Sequence, residues 1–132
     1  MSRRLLAALS GVPLMLAAGP AAADAAVFID RVSWVRYDGL PTLRVYPSAA
    51  GRDVAGQLGK TAAQTEEAWR EILSLAPDAA TAGMREQFLC HWNFAEFAQP
   101  GKTSWDLEPW RPAVDDSDML LAGCNPGGAE PG

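Results

Sequence analysis

Apolar positions along this chain fall into two alternating stretches, then two helical periods, then a tail broken up by prolines. Ala26 to Tyr37 is dense in β-branched and aromatic residues and reads as a strand. Phe28, Val32 and Trp34 share one face with Asp30 and Arg36, while Ile29, Val35 and Tyr37 share the other with Arg31 and Ser33. So mixed an alternation suits a strand partly covered on both sides. Asp38-Gly39 follows, a dipeptide that supplies the positive φ angles of a tight hairpin turn. Thr42 to Tyr46 alternates as the returning strand and Pro47 ends it, while Pro41 predicts a connecting loop somewhat longer than two residues.

A loop punctuated by Gly51, Gly56 and Gly59 leads to the first helix. Thr61 and Gln64 have capping-box spacing, and Glu66 and Glu67 favour the positive end of the helix. Ala62, Thr65, Trp69, Ile72, Leu73 and Ala76 repeat at the 3.6 period, and Pro77 stops the run. A second helix is expected from about Ala82 to Phe97, capped by Asp78 or Thr81. Met84, Phe88, His91 and Ala95 share a face, and Arg85, Glu86, Asn93 and Glu96 form only a narrow polar stripe, so this helix should be the more buried. Pro100-Gly101 closes it. Beyond lie two short apolar stretches, Ser104 to Glu108 and Met119 to Ala122, each expected to be a strand. Gly127 to Gly132 has the composition of a frayed tail. The expected fold is α+β: a small antiparallel sheet of three or four strands, two helices on one face, and one disulfide.

The N-terminus stands apart from this pattern. Ser2-Arg3-Arg4 is a short positive segment, Leu5 to Ala18 is apolar, Gly19-Pro20 breaks the run, and Ala21-Ala22-Ala23 offers small residues for a signal peptidase. The apolar run falls short of the ~20 residues a spanning helix needs. Residues 1–23 are thus expected to be a signal peptide, 24–126 a single secreted globular domain, and 127–132 a flexible tail. No cysteine stands at the cleavage point to carry a lipid anchor, and the short n-region fits the general secretory route better than the twin-arginine one. Removing residues 1–23 takes two of the 11 basic residues, leaving 16 acidic residues in clear excess. That balance disfavours phosphate backbones and anionic membrane surfaces as partners.

Cys90 and Cys124 are the two cysteines, and in an exported chain an even count reads as a disulfide. Closing so long a loop stabilises by roughly 3–4 kcal/mol, a large share for a domain of this size. The competing reading, a reactive Cys90–His91 pair, requires a reduced thiol. His91 is the one histidine, so any imidazole acid–base scheme must pass through it. A hydrolase would use His91 with Asp106 or Glu108, which project together from an extended strand. The other reading makes His91 a locally bonded core residue and the carboxylates solvated charge. Asp115, Asp116 and Asp118 resemble a calcium loop in composition only, lacking its glycine and terminal glutamate. No multi-histidine metal cluster, nucleophile elbow or phosphate loop is present, and no cofactor is expected.

Five tryptophans, Trp34, Trp69, Trp92, Trp105 and Trp110, are many for this length. Trp34 and Trp69 are expected in the core. Trp110 lies between Pro109 and Arg111-Pro112, and with Arg111, Asp106 and Glu108 it forms the candidate binding segment for an extracellular or envelope partner of unidentified type. Alternatively Trp110 and Arg111 pack internally, the guanidinium stacking on an indole or pairing with a carboxylate.

Gln87-Phe88-Leu89-Cys90-His91, then Lys102-x-x-Trp105-x-Leu107-Glu108-Pro109-Trp110-Arg111-Pro112, then Cys124-Asn125-Pro126, resembles a set of small exported actinobacterial proteins known only as a domain of unknown function. The likeness runs from Val32 to Pro126. It implies one disulfide-bonded secreted domain and brings no activity or catalytic residue with it. The residues themselves favour a non-catalytic extracellular binding module over a small hydrolase. If the N-terminal reading holds, intact-mass analysis of culture medium will find a product starting at Asp24; a product retaining Met1, or one confined to the membrane, contradicts it.

Overall fold

The computed structural model describes residues 27–128, so the expected signal segment and the final four residues of the expected tail lie outside it. Strand β1 (Ile29–Tyr37) and strand β2 (Leu40–Pro47) form a hairpin. Helices α1 (Ala49–Ala55) and α2 (Ala62–Leu75) follow, then a single 3-10 turn at Pro77–Ala79. Helix α3 (Met84–Ala98), strand β3 (Trp105–Leu107) and helix α4 (Asp116–Leu121) complete the chain. The three strands make an antiparallel sheet in the order β1-β2-β3, so the α+β expectation holds.

The hairpin turn is tighter than Pro41 suggested. Tyr37 pairs with Leu40, leaving only Asp38 and Gly39 between them, at φ 50 and 80. Both angles are positive, as the favoured two-residue turn demands. Pro41 is tolerated because it sits opposite Arg36 in a pair that exchanges no hydrogen bonds, so its missing N–H is not needed.

Residues 49–55, expected as loop, form a helix. The Ser48 hydroxyl accepts from the Gly51 N–H at 3.0 Å and also donates to the Val27 carbonyl. Gly51 is there for space: a Cβ would stand 2.1 Å from the Phe28 carbonyl oxygen. Of the glycines that suggest a loop, Gly51 marks a close approach of α1 to the start of β1. The Thr61–Gln64 capping box forms as the spacing predicts, with both reciprocal bonds made. Helix α3 starts later than expected, at Met84, with Gly83 at its N-cap and no side-chain cap.

The core lies between the sheet and helices α2 and α3. Leu43 and Val45 enter it from β2, Ala68, Trp69 and Ile72 from α2, and Met84, Phe88 and Trp92 from α3. Its centre is a run of aromatic contacts: Trp69 stacks on Phe88 at 5.5 Å, Phe88 meets Trp92 at 5.8 Å, and Trp92 meets Trp105 edge-on at 6.1 Å. The Trp92 indole N–H donates to the Thr65 hydroxyl at 2.9 Å, satisfying the one polar atom buried with the ring. Truncating such a buried aromatic costs about 3–5 kcal/mol. Trp34, expected in the core, lies on the edge strand β1 and is 38% exposed.

Met119 to Ala122 also departs from expectation: Met119 to Leu121 is helical, with Ala122 as its C-cap, not a strand. Asp115 caps α4 by accepting from the Asp118 N–H at 2.8 Å, a local bond that a strand does not offer. Met119 buries against the Cys90–Cys124 disulfide, which ties the C-terminal segment to α3. Replacing either cysteine by Ser should destabilise the domain by roughly 2–5 kcal/mol in thermal or denaturant unfolding. Thiol titration of the unfolded, unreduced protein should find no free thiol; two would overturn the pairing.

Candidate functional site

The residues with chemical potential converge where α3, β3 and the C-terminal segment meet. Gln87, on the first turn of α3, reaches Glu108 just past β3. Its amide donates to the Glu108 carbonyl at 2.9 Å, and its side-chain oxygen accepts the Glu108 N–H at 2.8 Å. Glu108 is fully buried, as is the Arg111 side chain with which it pairs. Arg111 Nε and Nη2 donate to Glu108 Oε1 at 3.1 and 3.0 Å, while the Thr42 hydroxyl donates to Oε2 at 3.0 Å. Arg111 Nη1 donates to the carbonyls of Pro126 and Gly128 at 2.9 and 2.5 Å. Its guanidinium carbon also lies 4.4 Å from the centre of the half-buried Trp110 ring. Both elements of the internal account, stacking on an indole and pairing with a carboxylate, are therefore present.

Asp106 and Glu108, read from the strand alternation as outward-facing, both point into the protein. β3 is the edge of the sheet, but α3 packs along it, so neither face of this short strand meets water. Asp106 accepts from the Ser104 hydroxyl at 2.9 Å and lies 3.8 Å from Arg44 Nε. Arg44 in turn hydrogen-bonds the Tyr37 hydroxyl.

His91 is 4% exposed. Its Nδ1 lies 2.8 Å from the Gln87 carbonyl oxygen one helical turn earlier. A carbonyl only accepts, so Nδ1 carries the proton and the remaining lone pair is on Nε2. Burial pulls the imidazole pKa down from 6.5 to about 4; the Gln87 bond and Asp106 oppose this, and Lys102 and Arg111 add to it. His91 lines a cavity of about 280 Å³ with Phe94, Ala95, Lys102, Leu120 and Cys124. Neither Asp106 nor Glu108 lines that cavity. The structure thus places the three residues of the acid–base scheme in one neighbourhood, with the carboxylates engaged in internal bonds. Among the described residues, no cluster of three or more His, Cys, Asp or Glu side chains is placed to hold a metal ion. Asp115 of the acidic run is the helix cap already described.

The exposed surface beside this centre was not anticipated. Phe94 and Phe97 on α3, and Leu120 and Leu121 on α4, are all exposed. Between the helices runs a groove of about 360 Å³, lined by Leu89, Phe94 and Leu120 with Glu86 and Asp116 at its rim. Assigning Leu120 to a strand hides its place beside Phe94 in the groove wall.

Because His91 is held neutral by burial, it makes stability depend on pH. The unfolded chain binds a proton near pH 6.5 and the folded one only near 4, so stability is full above about 6.5 and falls as pH drops through that window. The loss by pH 4 is roughly 3 kcal/mol, at about 1.4 kcal/mol per pH unit. Unfolding curves for wild type and His91→Gln between pH 7.5 and 4 should show the variant with the shallower dependence; parallel curves would mean that His91 is not the group responsible.

Among the described residues, no helix is long and apolar enough to cross a membrane. An uncharacterized protein of Mycobacterium tuberculosis (strain ATCC 25618 / H37Rv) is 58% identical over 102 residues, covering 77% of this chain and 68% of its own length. An uncharacterized protein of Mycobacterium leprae (strain TN) is 50% identical over 103 residues, covering 78% of this chain and 82% of its own. No solved structure matches. A family profile described as "Protein of unknown function (DUF2599)" matches residues 29–127, and the chain belongs to that family.

Proposed function

We propose that the chain is exported and works outside the cell as a non-catalytic binding domain, with the groove between α3 and α4 as its contact surface. Export is supported by the Ala21-Ala22-Ala23 segment after an apolar run, and by a formed disulfide that an oxidising compartment maintains. The observation that carries the binding reading is the exposure of Phe94 and Leu120 in the wall of one groove, with Phe97 and Leu121 also exposed on the same two helices. Apolar side chains clustered at a surface and rimmed by polar groups mark interaction sites. Glu86 and Asp116 at the rim, with Asp115 and Asp118 beside them, favour a partner segment that is apolar along one side and basic along the other. The residues of the sequence-derived binding segment bear on this reading from within: Asp106, Glu108 and Arg111 are buried, and Trp110 lies against Arg111.

The hydrolase alternative keeps one observation in its favour, the cavity that His91 lines. Capture experiments from the producing organism's envelope and medium separate the two. Wild-type domain should retain a partner that a Phe94→Asp, Leu120→Asp double variant loses, with melting temperatures within a few degrees, since both side chains are exposed. Equal capture by the variant removes the groove from consideration. Turnover of an ester, glycoside or peptide substrate that His91→Gln abolishes would replace the binding reading with the catalytic one.

A further inference from the structure

Among the described residues, strand β1 is the free edge of the sheet. In a two-residue hairpin the residues flanking the turn exchange hydrogen bonds, so Tyr37–Leu40, Val35–Thr42, Ser33–Arg44 and Arg31–Tyr46 are the bonded pairs. Val32, Trp34 and Arg36 therefore aim their N–H and C=O groups away from β2. Among the described residues nothing answers them: no backbone bond reaches these groups, and the side-chain caps from Glu71 stop at Phe28 and Ile29. The opposite edge, β3, is covered by α3. An uncovered row of this kind is a template for another strand.

Charged side chains and a bulge are the usual means of blunting such an edge, and β1 has both. Asp30, Arg31 and Arg36 are exposed, and the register shifts between Ile29 and Arg31. The bulge lies at the start of the strand, however, and leaves Val32 to Arg36 regular. The charges are also arranged in a particular order. When β1 is laid antiparallel to a second β1 with Ser33 opposite Ser33, Val32 meets Trp34 and the bulged Asp30 comes beside Arg36, each pair occurring twice by symmetry. In this register the outward-aimed backbone groups of one strand meet those of the other, as an antiparallel ladder requires. Val against Trp is a favourable cross-strand pair, and Asp against Arg is a complementary one.

The surroundings of Asp30 strengthen the match. With Glu67 and Glu71 it lines a cavity of about 340 Å³ at the end of α2, and Glu71 Oε2 is buried there without a hydrogen-bond partner. Among the described residues Arg36 forms no ion pair, and its guanidinium donates to the Gly39 carbonyl at 2.9 Å. Among the described residues, each copy thus carries a cation without an ion-pair partner and an acidic notch, one at either end of the open edge. We propose that two copies of this chain associate through β1, in antiparallel register about Ser33, to form a continuous six-stranded sheet with Arg36 of each copy in the Asp30–Glu67–Glu71 notch of the other.

One strand per copy is an interface at the small end of the specific range, so the dimer should be weak, with a Kd on the order of micromolar to millimolar. Sedimentation velocity of the disulfide-intact domain across that range tests it, with circular dichroism confirming that each variant is folded. Wild type should shift from monomer to dimer as concentration rises. Arg36→Glu and Asp30→Arg should each weaken association at least tenfold, and the double variant should recover it, because the swapped pair again attracts. A wild type that stays monomeric at millimolar concentration overturns the proposal. So does an Arg36→Glu variant that dimerises like wild type, or a double variant that gains nothing over the single ones. Because Phe94 and Leu120 lie away from β1, their double variant should dimerise normally, which keeps this result separate from that of the groove.

Discussion

Glu108 and Arg111 are three residues apart, both wholly buried, and joined by two hydrogen bonds to one carboxylate oxygen. Removing two charges from water is expensive, and attraction between them repays it only where the remaining donors and acceptors are also satisfied. That condition explains the company they keep. The Thr42 hydroxyl donates to the second carboxylate oxygen from the central strand, Gln87 clamps the Glu108 backbone from α3, and the carbonyls of Pro126 and Gly128 accept from Arg111 Nη1. Four parts of the chain must therefore be in place at once. Leaving either charge alone in this site would cost roughly 3–5 kcal/mol, far more than any exposed ion pair contributes. The arrangement penalises partial assembly: β3 cannot dock on β2 without α3, and the C-terminal segment cannot leave without stranding Arg111.

This centre and the disulfide restrain the same segment by different means. Cys90 and Gln87 lie one turn apart on α3, one bonded to Cys124 and the other to Glu108. The residues between, from Pro109 to Gly123, hold one short helix and little other regular structure. They have little apolar area with which to hold themselves down, Met119 being the one fully enclosed apolar side chain of α4. A covalent closure at one end and a satisfied ion pair at the other take the place of a second core. His91 sits between these anchors, which accounts for its burial and for the depressed pKa that follows.

Local signals were read well where one bond decides the structure. Thr61 with Gln64, and Asp38 with Gly39, each specify a geometry through adjacent residues, and both occur as the spacing implied. Signals failed where a distant element overrode the local pattern. Period-two alternation assigns Asp106 and Glu108 to a wet face, but α3 lies along β3, and the partners that make burial tolerable, Arg44, Thr42 and Gln87, are remote in sequence. Gly51 reads as loop until the approach of Phe28 is known. Met119-Leu120-Leu121 is too short for periodicity to distinguish helix from strand, although Asp115 was available as a cap. The groove is hidden by that assignment, since its walls come from α3 and α4 together.

With Glu108, Arg111, Gln87 and Thr42 engaged with one another inside, the two surfaces that remain incomplete are at opposite ends of the architecture. Sheet order places β1 at the edge far from β3, while α3 covers β3 and carries α4. The two surfaces also differ in kind. The groove offers apolar side chains with an acidic rim, which favours strength through burial and little demand for a fixed register. The β1 edge offers backbone groups at fixed spacing, where affinity comes from the ladder and register from Val32, Trp34 and the flanking charges. Pairing through β1 would therefore leave both copies of the groove open. A dimer of this geometry would hold two grooves, so that a second contact on a partner spanning both would form at the effective concentration set by the first. Weak pairing at the edge and modest affinity in the groove would reinforce each other without any further change in the fold.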